Sequence, residues 1–358
     1  MAPIKSGRGD HTPSGTVTLR AADEPDPIAA GSIPQQTQSL WARLRTTTFL
    51  RIWILTALLF AGSAVAVPGT VTATALLSML PFAAILAMAS SGQALVVQQG
   101  GIDLSCAGVI SLTAVITVTS SHSSDGELAK AVLIALAGAA ACGLVAGLSA
   151  TRLGITPLIA TLALNAVLTG VVIGITGGNI AEAVPHDLAS AVSAKLLGIQ
   201  VVIWIPVLVV LTMTVVLRRT VVGRRFEAIG ANPAAAAAMG MRVAAYQTGA
   251  YVIAAVCYAA AGILLAGFIT RPDLFSGNDY LLLTIAAVAL GGTTLGGGRS
   301  SVLATAVGAL FLVQLNQVVL AGGAPTAMQY VIQGAVLICG IGLQGRNGMT
   351  RLIRMVRS

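Results

Sequence analysis

The chain alternates long apolar stretches with short polar connections over most of its length. A helix that crosses the hydrocarbon core of a membrane needs about 20 consecutive apolar residues. Pro81 lies inside the second stretch as an expected kink, and the eighth stretch is short. The pattern predicts an all-α integral membrane protein, a polytopic bundle of about ten transmembrane helices. The predicted spans are residues 49–67, 71–97, 102–120, 129–147, 156–175, 199–217, 248–269, 280–292, 302–321 and 328–343.

Polar segments flank this apolar region at both ends of the chain. Residues 1–45 are rich in Pro, Ser, Gly and acidic side chains and lack apolar periodicity, which predicts a disordered cytoplasmic tail. Residues 46–345 form the predicted transmembrane domain. Residues 346–358 are a basic segment, for which we expect a cytoplasmic location.

The charges between the apolar stretches predict how the chain is oriented. Cytoplasmic loops of membrane proteins carry an excess of Lys and Arg. Ten crossings that start in the cytoplasm place both termini there, with basic loops inside and acidic loops outside. Lys130, Lys195 and Arg271 are exceptions. The inside positions are Arg152, residues 218–247, Arg299, Arg346, Arg351, Arg354 and Arg357, and the outside positions are Asp125, Glu127, Glu182, Asp187, Asp273 and Asp279.

The composition excludes a soluble protein. Hydrophobic residues make up 56% of the chain and charged residues 9%, whereas soluble domains carry about 25% charged residues. The 40 glycines favour closely packed transmembrane helices. The net charge of +8 is placed at the ends of the apolar stretches and does not indicate nucleic-acid binding. The four cysteines lie singly in apolar runs, which favours packing over metal or redox chemistry.

The polar segment at residues 218–247 stands out because membrane-length stretches lie on both sides of it. Asn232 as an N-cap, Pro233 at the first helical position and Gly240 at the end predict a short helix inside it. A basic loop could simply anchor on lipid headgroups. Such an anchor needs no helix signals, so we favour a helix that a soluble partner holds. The segment's charged residues are Arg218, Arg219, Arg224, Arg225, Glu227 and Arg242.

No catalytic or metal-binding pattern is visible in the sequence. The histidines His11, His122 and His186 lie in the tail or in outside loops, away from paired carboxylates, so we expect no metal site. No lysine follows a phosphate-binding glycine run. The chain therefore needs no cofactor of its own, and any ATPase must be another chain.

Asp103 is the most conspicuous acid because it lies between apolar runs. Carboxylates within a membrane are costly and often functional, so Asp103 could lie near a permeation path. It could instead be the N-cap of the third span, after a turn at the two preceding glycines. We favour the N-cap.

Four amide side chains lie within predicted spans: Asn165, Gln314, Asn316 and Gln317. They could line a hydrophilic path for a hydroxyl-rich solute. They could equally hydrogen-bond neighbouring helices, an interaction worth about 0.6 kcal/mol on average in membranes. The sequence leaves these two interpretations open.

Three segments occur in a recognisable order: GGIDLS at residues 100–105, EAIGANPAAAAAMGM at 227–241 and LGGTTLGGGRSSVLATAVGAL at 290–310. Together they resemble the permease subunits of ribose-type bacterial ABC importers, which handle monosaccharides. The resemblance covers about residues 71–343 and makes residues 46–345 a permease domain in the inner membrane. It gives Asn316 more weight as a path residue.

The resemblance implies several partners: an ATP-binding subunit, an extracytoplasmic substrate-binding protein and a second permease subunit, expected to be an identical copy, in a lipid membrane. The family's coupling helix, which seats in the ATPase, corresponds to residues 227–240. With the residue patterns, it predicts coupling roles for Arg224, Arg225, Glu227, Ala228, Ile229, Gly230, Asn232, Pro233, Ala236 and Gly240. The predicted path and its structural motifs comprise Gly101, Asp103, Ser105, Asn165, Gly291, Gly292, Gln314 and Asn316.

The chain departs from the family pattern at three places. Cys106-Ala107 replaces a usual Val-Gly, Ser300 stands where glycine is frequent, and residues 234–238 are all alanine where the family carries charges. Docking would then depend on shape and on the charges before the alanines. Nucleosides, a sugar-derived signal or branched-chain amino acids remain alternative cargoes. An ion-coupled transporter and a membrane scaffold remain alternative classes.

Overall fold

The computed structural model describes residues 50–121, 124–179, 183–294, 296–325 and 327–338. The predicted tails at residues 1–45 and 346–358 lie outside this range. The described chain is helical almost throughout, with one short antiparallel hairpin of β1 (Lys195–Leu196) and β2 (Ile199–Gln200). Its helices are α1 (Leu50–Ala66), α2 (Ala73–Gln98), α3 (Cys106–Thr119), α4 (Leu128–Thr151), α5 (Pro157–Thr176), α6 (His186–Ser193), α7 (Val201–Arg219), α8 (Val221–Ala231), α9 (Pro233–Ala238), α10 (Val243–Ile269), α11 (Asn278–Leu290), α12 (Val302–Ala321) and α13 (Ala327–Ile338), with 3₁₀ turns at Pro68–Val71 and Asp125–Glu127.

Six of these helices are long and apolar enough to cross a membrane: α2, α4, α5, α7, α10 and α12. Four shorter apolar helices, α1, α3, α11 and α13, accompany them. Each apolar stretch predicted from the sequence overlaps one of these ten helices. The all-α, multi-pass prediction is therefore confirmed.

Glycines allow the central helices to pack with their backbones almost in contact. A Cβ atom on Gly92 of α2 would lie 2.9 Å from the Ala254 backbone of α10. A Cβ atom on Gly143 of α4 would lie 2.6 Å from the carbonyl oxygen of Tyr251, which is also in α10. Lipid supplies no hydrophobic drive between helices, so close packing of this kind holds the bundle together.

The outer helices α5 and α7 expose apolar side chains instead. Ile159 is 62% exposed and Leu208 is 66% exposed. Side chains of this kind are compatible with lipid as the surrounding solvent, since lipid tails are as apolar as leucine.

Helices α2 and α12 run between the two ends of the bundle in opposite directions. At one end, the carbonyl group of Gln98 at the end of α2 meets the segment that precedes α12. At the other end, Gln317 near the end of α12 donates to the carbonyl group of Ala75 at the start of α2. Helix α2 has 26 residues. At 1.5 Å per residue, it separates the two ends by roughly 35–40 Å.

Candidate functional site

The three sequence segments that carry the family resemblance meet at one end of the bundle. The Gly298 N–H donates to the Gln98 carbonyl oxygen at 3.0 Å. The Gln99 side chain donates from Nε2 to the Phe226 carbonyl oxygen at 2.9 Å. The end of α2 is thereby joined both to α8 and to the loop before α12. We call these contacts, with Gly230 and Gly297, the junction.

Glycines are required in the junction because three backbone segments touch there. A Cβ atom on Gly230 would collide with the Gln98 carbonyl oxygen. A Cβ atom on Gly297 would lie 2.8 Å from the Gly230 carbonyl oxygen. Gly297 also has φ +91° and Gly100 has φ +83°, which side-chain-bearing residues rarely adopt.

Helix α8 is fastened to the bundle by its apolar face. Thr220 caps the helix, its hydroxyl oxygen accepting from the Gly223 N–H at 3.2 Å. Phe226 is 5% exposed and packs with Leu95 of α2 and Ala250 of α10. Ile229 is fully buried. Of the predicted coupling residues in α8, Ile229 and Gly230 thus hold the helix in place, and Ala228 is half-buried.

The charged residues of α8 face outward. Arg224 and Arg225 are both exposed. Glu227 Oε1 lies 3.8 Å from Arg299 Nε, and the two side chains are 53% and 75% exposed. Exposed pairs of this kind contribute about 0–1 kcal/mol. These charges are therefore available to a partner and add little to the attachment of α8.

The short helix predicted from Asn232, Pro233 and Gly240 is confirmed, and it is α9. The Asn232 side-chain oxygen accepts from the Ala235 N–H at 3.0 Å, and Pro233 occupies the first turn. Gly240 has φ +77° and ends the helix. The Met241 N–H donates back to the Ala236 carbonyl oxygen at 3.1 Å.

Helix α9 is largely exposed beside the fastened helix α8. Ala236 is 1% exposed and anchors it, whereas the other four alanines of the helix are exposed. The result is a small apolar surface that a partner can reach. Of the predicted coupling set, Asn232, Pro233 and Gly240 shape this surface.

Asp103 has a local structural role, and the predicted N-cap position is wrong. Helix α3 begins at Cys106 with Ser105 as its N-cap residue. Asp103 Oδ1 accepts from the Ser105 N–H at 2.9 Å and from the Ser105 hydroxyl at 2.6 Å. The carboxylate therefore closes a turn two residues before the cap, because its short side chain reaches the N–H group two positions ahead.

The backbone around Asp103 is held from within α2 by Gln93, which sequence reasoning missed. With its amide oxygen facing the Asp103 N–H at 3.2 Å, Gln93 donates to the Asp103 carbonyl at 3.1 Å and to the Tyr258 hydroxyl at 2.6 Å. Gly101 packs against the Tyr251 hydroxyl, where a Cβ atom would collide. The sequence feature that could have indicated this contact is a polar residue inside an apolar helix.

All four span amides form hydrogen bonds to neighbouring helices, and Asn165 and Gln314 show this most plainly. Asn165 Oδ1 of α5 accepts from the Gly108 N–H of α3 at 2.7 Å. Gln314 of α12 donates from Nε2 to the Ser63 hydroxyl oxygen of α1 at 3.1 Å and is fully buried. The structure supports helix linking for these two residues. Their predicted place on a path stays a prediction.

Gly291 and Gly292 shape the end of α11. A Cβ atom on Gly291 would lie 2.8 Å from the Thr305 backbone nitrogen of α12. Gly292 has φ +82°. Gly291 thus serves a close approach of helices, and Gly292 serves a turn.

Asn316 and Gln317 lie elsewhere, in the wall of a cavity at the end of the bundle opposite the junction. The cavity has a volume of about 760 Å³, is open on one side and is lined by residues of α2, α10, α11, α12 and α13. Gln333 of α13 donates from Nε2 to Asn316 Oδ1 at 3.4 Å. Sequence reasoning missed α13 as a polar wall because Gln329, Tyr330 and Gln333 are spread over one face of an otherwise apolar helix.

The structure corrects the sequence interpretation of His186. This residue lies with Asp125 and Asp187 in an exposed cluster whose possible ligand atoms are all within 4.8 Å of one another. Asp125 Oδ1 also accepts from the Asp187 N–H at 2.8 Å, at the start of α6. The histidine is thus close to paired carboxylates after all. Exposure and this backbone bond explain the cluster without an ion.

These features define the class of the protein: a multi-pass helical membrane protein with an exposed helix fastened to one end of its bundle. The family described as the branched-chain amino acid transport system permease component matches residues 75–341. The chain belongs to this family of ABC importer permeases. It is a transport subunit and not an enzyme, and a separate subunit hydrolyses ATP. The family implies a multi-pass inner-membrane location and ATP-binding and substrate-binding partners.

Curated relatives are similar over most of their length. The galactofuranose transporter permease protein YtfT of Escherichia coli (strain K12) is 33% identical over 283 residues, which cover 79% of this chain and 82% of the relative. The autoinducer 2 import system permease protein LsrC of Yersinia pestis (strain Pestoides F) is 32% identical over 264 residues, covering 74% and 75%. No solved structure matches the chain.

Proposed function

We propose that this chain is the permease subunit of an ATP-driven importer that translocates a monosaccharide, ribose-like or related. The observation that carries the proposal is the junction, which fastens α8 and the exposed helix α9 to the end of α2. The two relatives named above, which carry a furanose sugar and a small signalling molecule, favour a sugar as cargo. A sugar-derived signal is accordingly the first alternative, followed by nucleosides and by the branched-chain amino acids of the family description.

The junction supports a mechanism of coupling. A push on α9 reaches α8 through Asn232, and α8 cannot slide over α2 because Gly230 and Gln98 are in backbone contact. Displacement is then passed to α2 and α12, which line the cavity at their far ends. Alternation of two packings, driven by ATP in the partner, would open the cavity to one side of the membrane and then to the other.

We propose about ten crossings with both termini in the cytoplasm. Six crossings would be formed by the six long helices. Each of the four shorter apolar helices, extended by its flanking backbone, would form one of the other four crossings. In this orientation the junction faces the cytoplasm, since the exposed arginines beside it, Arg224, Arg225 and Arg299, satisfy the positive-inside rule. The cavity then faces the extracytoplasmic side, where acidic residues such as Asp273 and Asp279 lie.

The two ends therefore suit different partners. The ATP-binding subunit would dock on α9 and on the charges of α8, and the substrate-binding protein would dock around the cavity. A second copy of this chain would complete the permease. The exposed apolar faces of α5 and α7 supply surface for that copy and for lipid.

Bulky substitutions on α9 test the coupling role. Ala235→Trp and Ala238→Trp alter exposed positions, so the fold should persist while docking is blocked. We expect uptake to fall at least about tenfold, within the range of typical coupling free energies. Leu133→Trp, at a position of α4 that is 67% exposed, is the control. Normal uptake with both tryptophans on α9 would contradict the assignment.

ATP dependence tests the transport class. The chain is reconstituted in liposomes with its ATP-binding and substrate-binding partners, and uptake of radiolabelled neutral monosaccharides is measured. Uptake should require ATP inside and should survive a proton uncoupler. Uptake that persists without the ATPase and collapses with the uncoupler would establish an ion-coupled transporter instead.

A further inference from the structure

The cavity opposite the junction has chemistry that the coupling mechanism does not require. A conduit that leaves all selection to a binding protein needs only a weakly polar wall. This cavity instead collects amide, carboxyl and hydroxyl groups from four separate parts of the chain, and its volume of about 760 Å³ lies within the range of ligand sites.

Three amide side chains supply hydrogen-bonding capacity that the protein itself leaves partly unused. Asn316, Gln317 and Gln333 line the cavity. Gln317 Oε1 is buried and has no hydrogen-bond partner among the described residues. The Gln333–Asn316 bond of 3.4 Å is longer than the usual 2.7–3.2 Å for N–H···O bonds. Both amides can therefore exchange this contact for the hydroxyl groups of a solute.

The charge of the cavity wall is negative. Asp273 and Asp279 are among its lining residues, and no Lys, Arg or His of the described residues lines it. The Tyr330 hydroxyl donates to Asp279 Oδ1 at 3.1 Å. A wall of one sign attracts counter-ions and repels like charges. Anions are therefore disfavoured, and the carboxylate of an amino acid would find no cationic partner.

Ring surfaces complete the wall. Phe82 is 39% exposed, and its other side meets Phe268 edge-on at a centroid distance of 5.3 Å. Tyr280 and Tyr330 also line the cavity. Rings beside amides offer an apolar surface and hydrogen-bonding groups together, which suits a solute with C–H faces and a hydroxyl rim.

We propose that this cavity is a selective solute-binding chamber for uncharged, hydroxyl-rich molecules, and that the permease itself rejects anions there. The proposal rests on the proposed import function and deepens it, because it gives the permease a selection step of its own, separate from that of the substrate-binding protein.

The charge of the chamber can be tested without transport. In a variant lacking the four native cysteines, Asn316→Cys and, separately, Gln333→Cys are reacted with a cationic and an anionic methanethiosulfonate of similar size, in detergent at low salt. At each cysteine, the rate with the cationic reagent is divided by the rate with the anionic reagent. We expect this ratio to be at least about tenfold higher at the cavity cysteines than at Ser193→Cys, an exposed and nearly isosteric control on α6. Adding Asp279→Asn should lower that ratio. Equal ratios at cavity and control cysteines, or no reaction at either cavity cysteine, would overturn the proposal.

A second arm tests the solute class and separates the two proposals. The reconstituted importer is offered D-ribose, D-galactose, D-galacturonate and leucine. We expect a neutral sugar to be imported and, in the absence of the binding protein, to slow modification of Asn316→Cys but not of Ser193→Cys. ATP-driven import that prefers D-galacturonate or leucine would overturn the proposal of a chamber for uncharged solutes. An imported sugar that does not slow modification of Asn316→Cys would overturn it as well. Absence of ATP-driven import for all four solutes counts against the proposed function, while the reagent ratio still decides the charge of the chamber.

Discussion

The junction and the cavity lie at opposite ends of the same two helices, α2 and α12, and they are built in opposite ways. The junction is made of backbone: Gly230, Gly297 and the Gln98 carbonyl group touch with no room for a Cβ atom. The cavity is made of side chains, and two of its lining amides bond to other helices over long distances. Gln333 donates to Asn316 at 3.4 Å, and Gln317 donates to the Ala75 carbonyl oxygen at 3.3 Å. One end resists deformation, whereas the other leaves space.

This difference suits a machine that receives force at one end and moves a solute at the other. Packed interfaces have discrete arrangements and do not deform continuously. A tight junction therefore passes a displacement on without absorbing it. A loosely bonded cavity wall can change shape at little energetic cost, because few strong contacts must be broken there.

The largest effect is expected when one methyl group is added at the junction. Gly230→Ala forces a Cβ atom against the Gln98 carbonyl oxygen. Overpacking of this kind costs about 1–3 kcal/mol. We expect a lower melting temperature for the purified protein and a large loss of uptake.

Gly138→Ala in α4 is the matched control for that methyl group. A Cβ atom there meets no atom of the described chain within 4 Å, so stability and uptake should be unchanged or slightly raised. If Gly230→Ala behaves like Gly138→Ala, the junction is not rigid, and the contrast between the two ends fails.

The cap of α9 offers a smaller test on the same side. Asn232→Ala removes the acceptor for the Ala235 N–H, which costs about 1 kcal/mol of helix stability. The bundle does not depend on α9, so global melting should change little while coupling weakens several-fold. The measurement is the ratio of solute imported to ATP hydrolysed. Asn232→Asp, which keeps a capping oxygen, should restore most of that ratio.

The contrast between the two ends also explains which features could be predicted from the sequence. Asn232, Pro233 and Gly240 were predictable because helix ends admit few residue types, whereas Gly230 was named from the family resemblance alone. Membrane-length helices were predictable because lipid requires long apolar runs.

The cavity could not be predicted in the same way. Many polar side chains can line a cavity, so Gln333 and Tyr330 carry no distinctive pattern, and only tertiary packing brings α13 beside Asn316. Gln93 was missed for the same reason. Asp103 was assigned to an N-cap because sequence spacing cannot distinguish a cap from a turn two residues earlier.

Two glutamines on the bundle can sharpen the distinction between structural and cavity amides. Gln314→Leu removes a buried bond to Ser63 and should destabilise the protein by about 0.6 kcal/mol, the average for such bonds in membranes. Gln333→Leu removes the long cavity bond and should leave melting unchanged while it lowers the rate of uptake. Thermal melting and initial uptake rates of both variants decide this. Equal stability losses would mean that the cavity wall is packed as firmly as the bundle.

The smallest effect is expected at the exposed ion pair beside the junction. Glu227→Gln removes the attraction to Arg299, which acts over 3.8 Å between largely exposed groups, and should change the free energy of unfolding by less than about 0.5 kcal/mol. Its effect on coupling should be larger at low salt than at high salt, because salt screens exposed charges. ATPase-coupled uptake at two salt concentrations measures this. A loss of stability comparable with that of Gly230→Ala would show that charge, and not backbone packing, holds α8 in place.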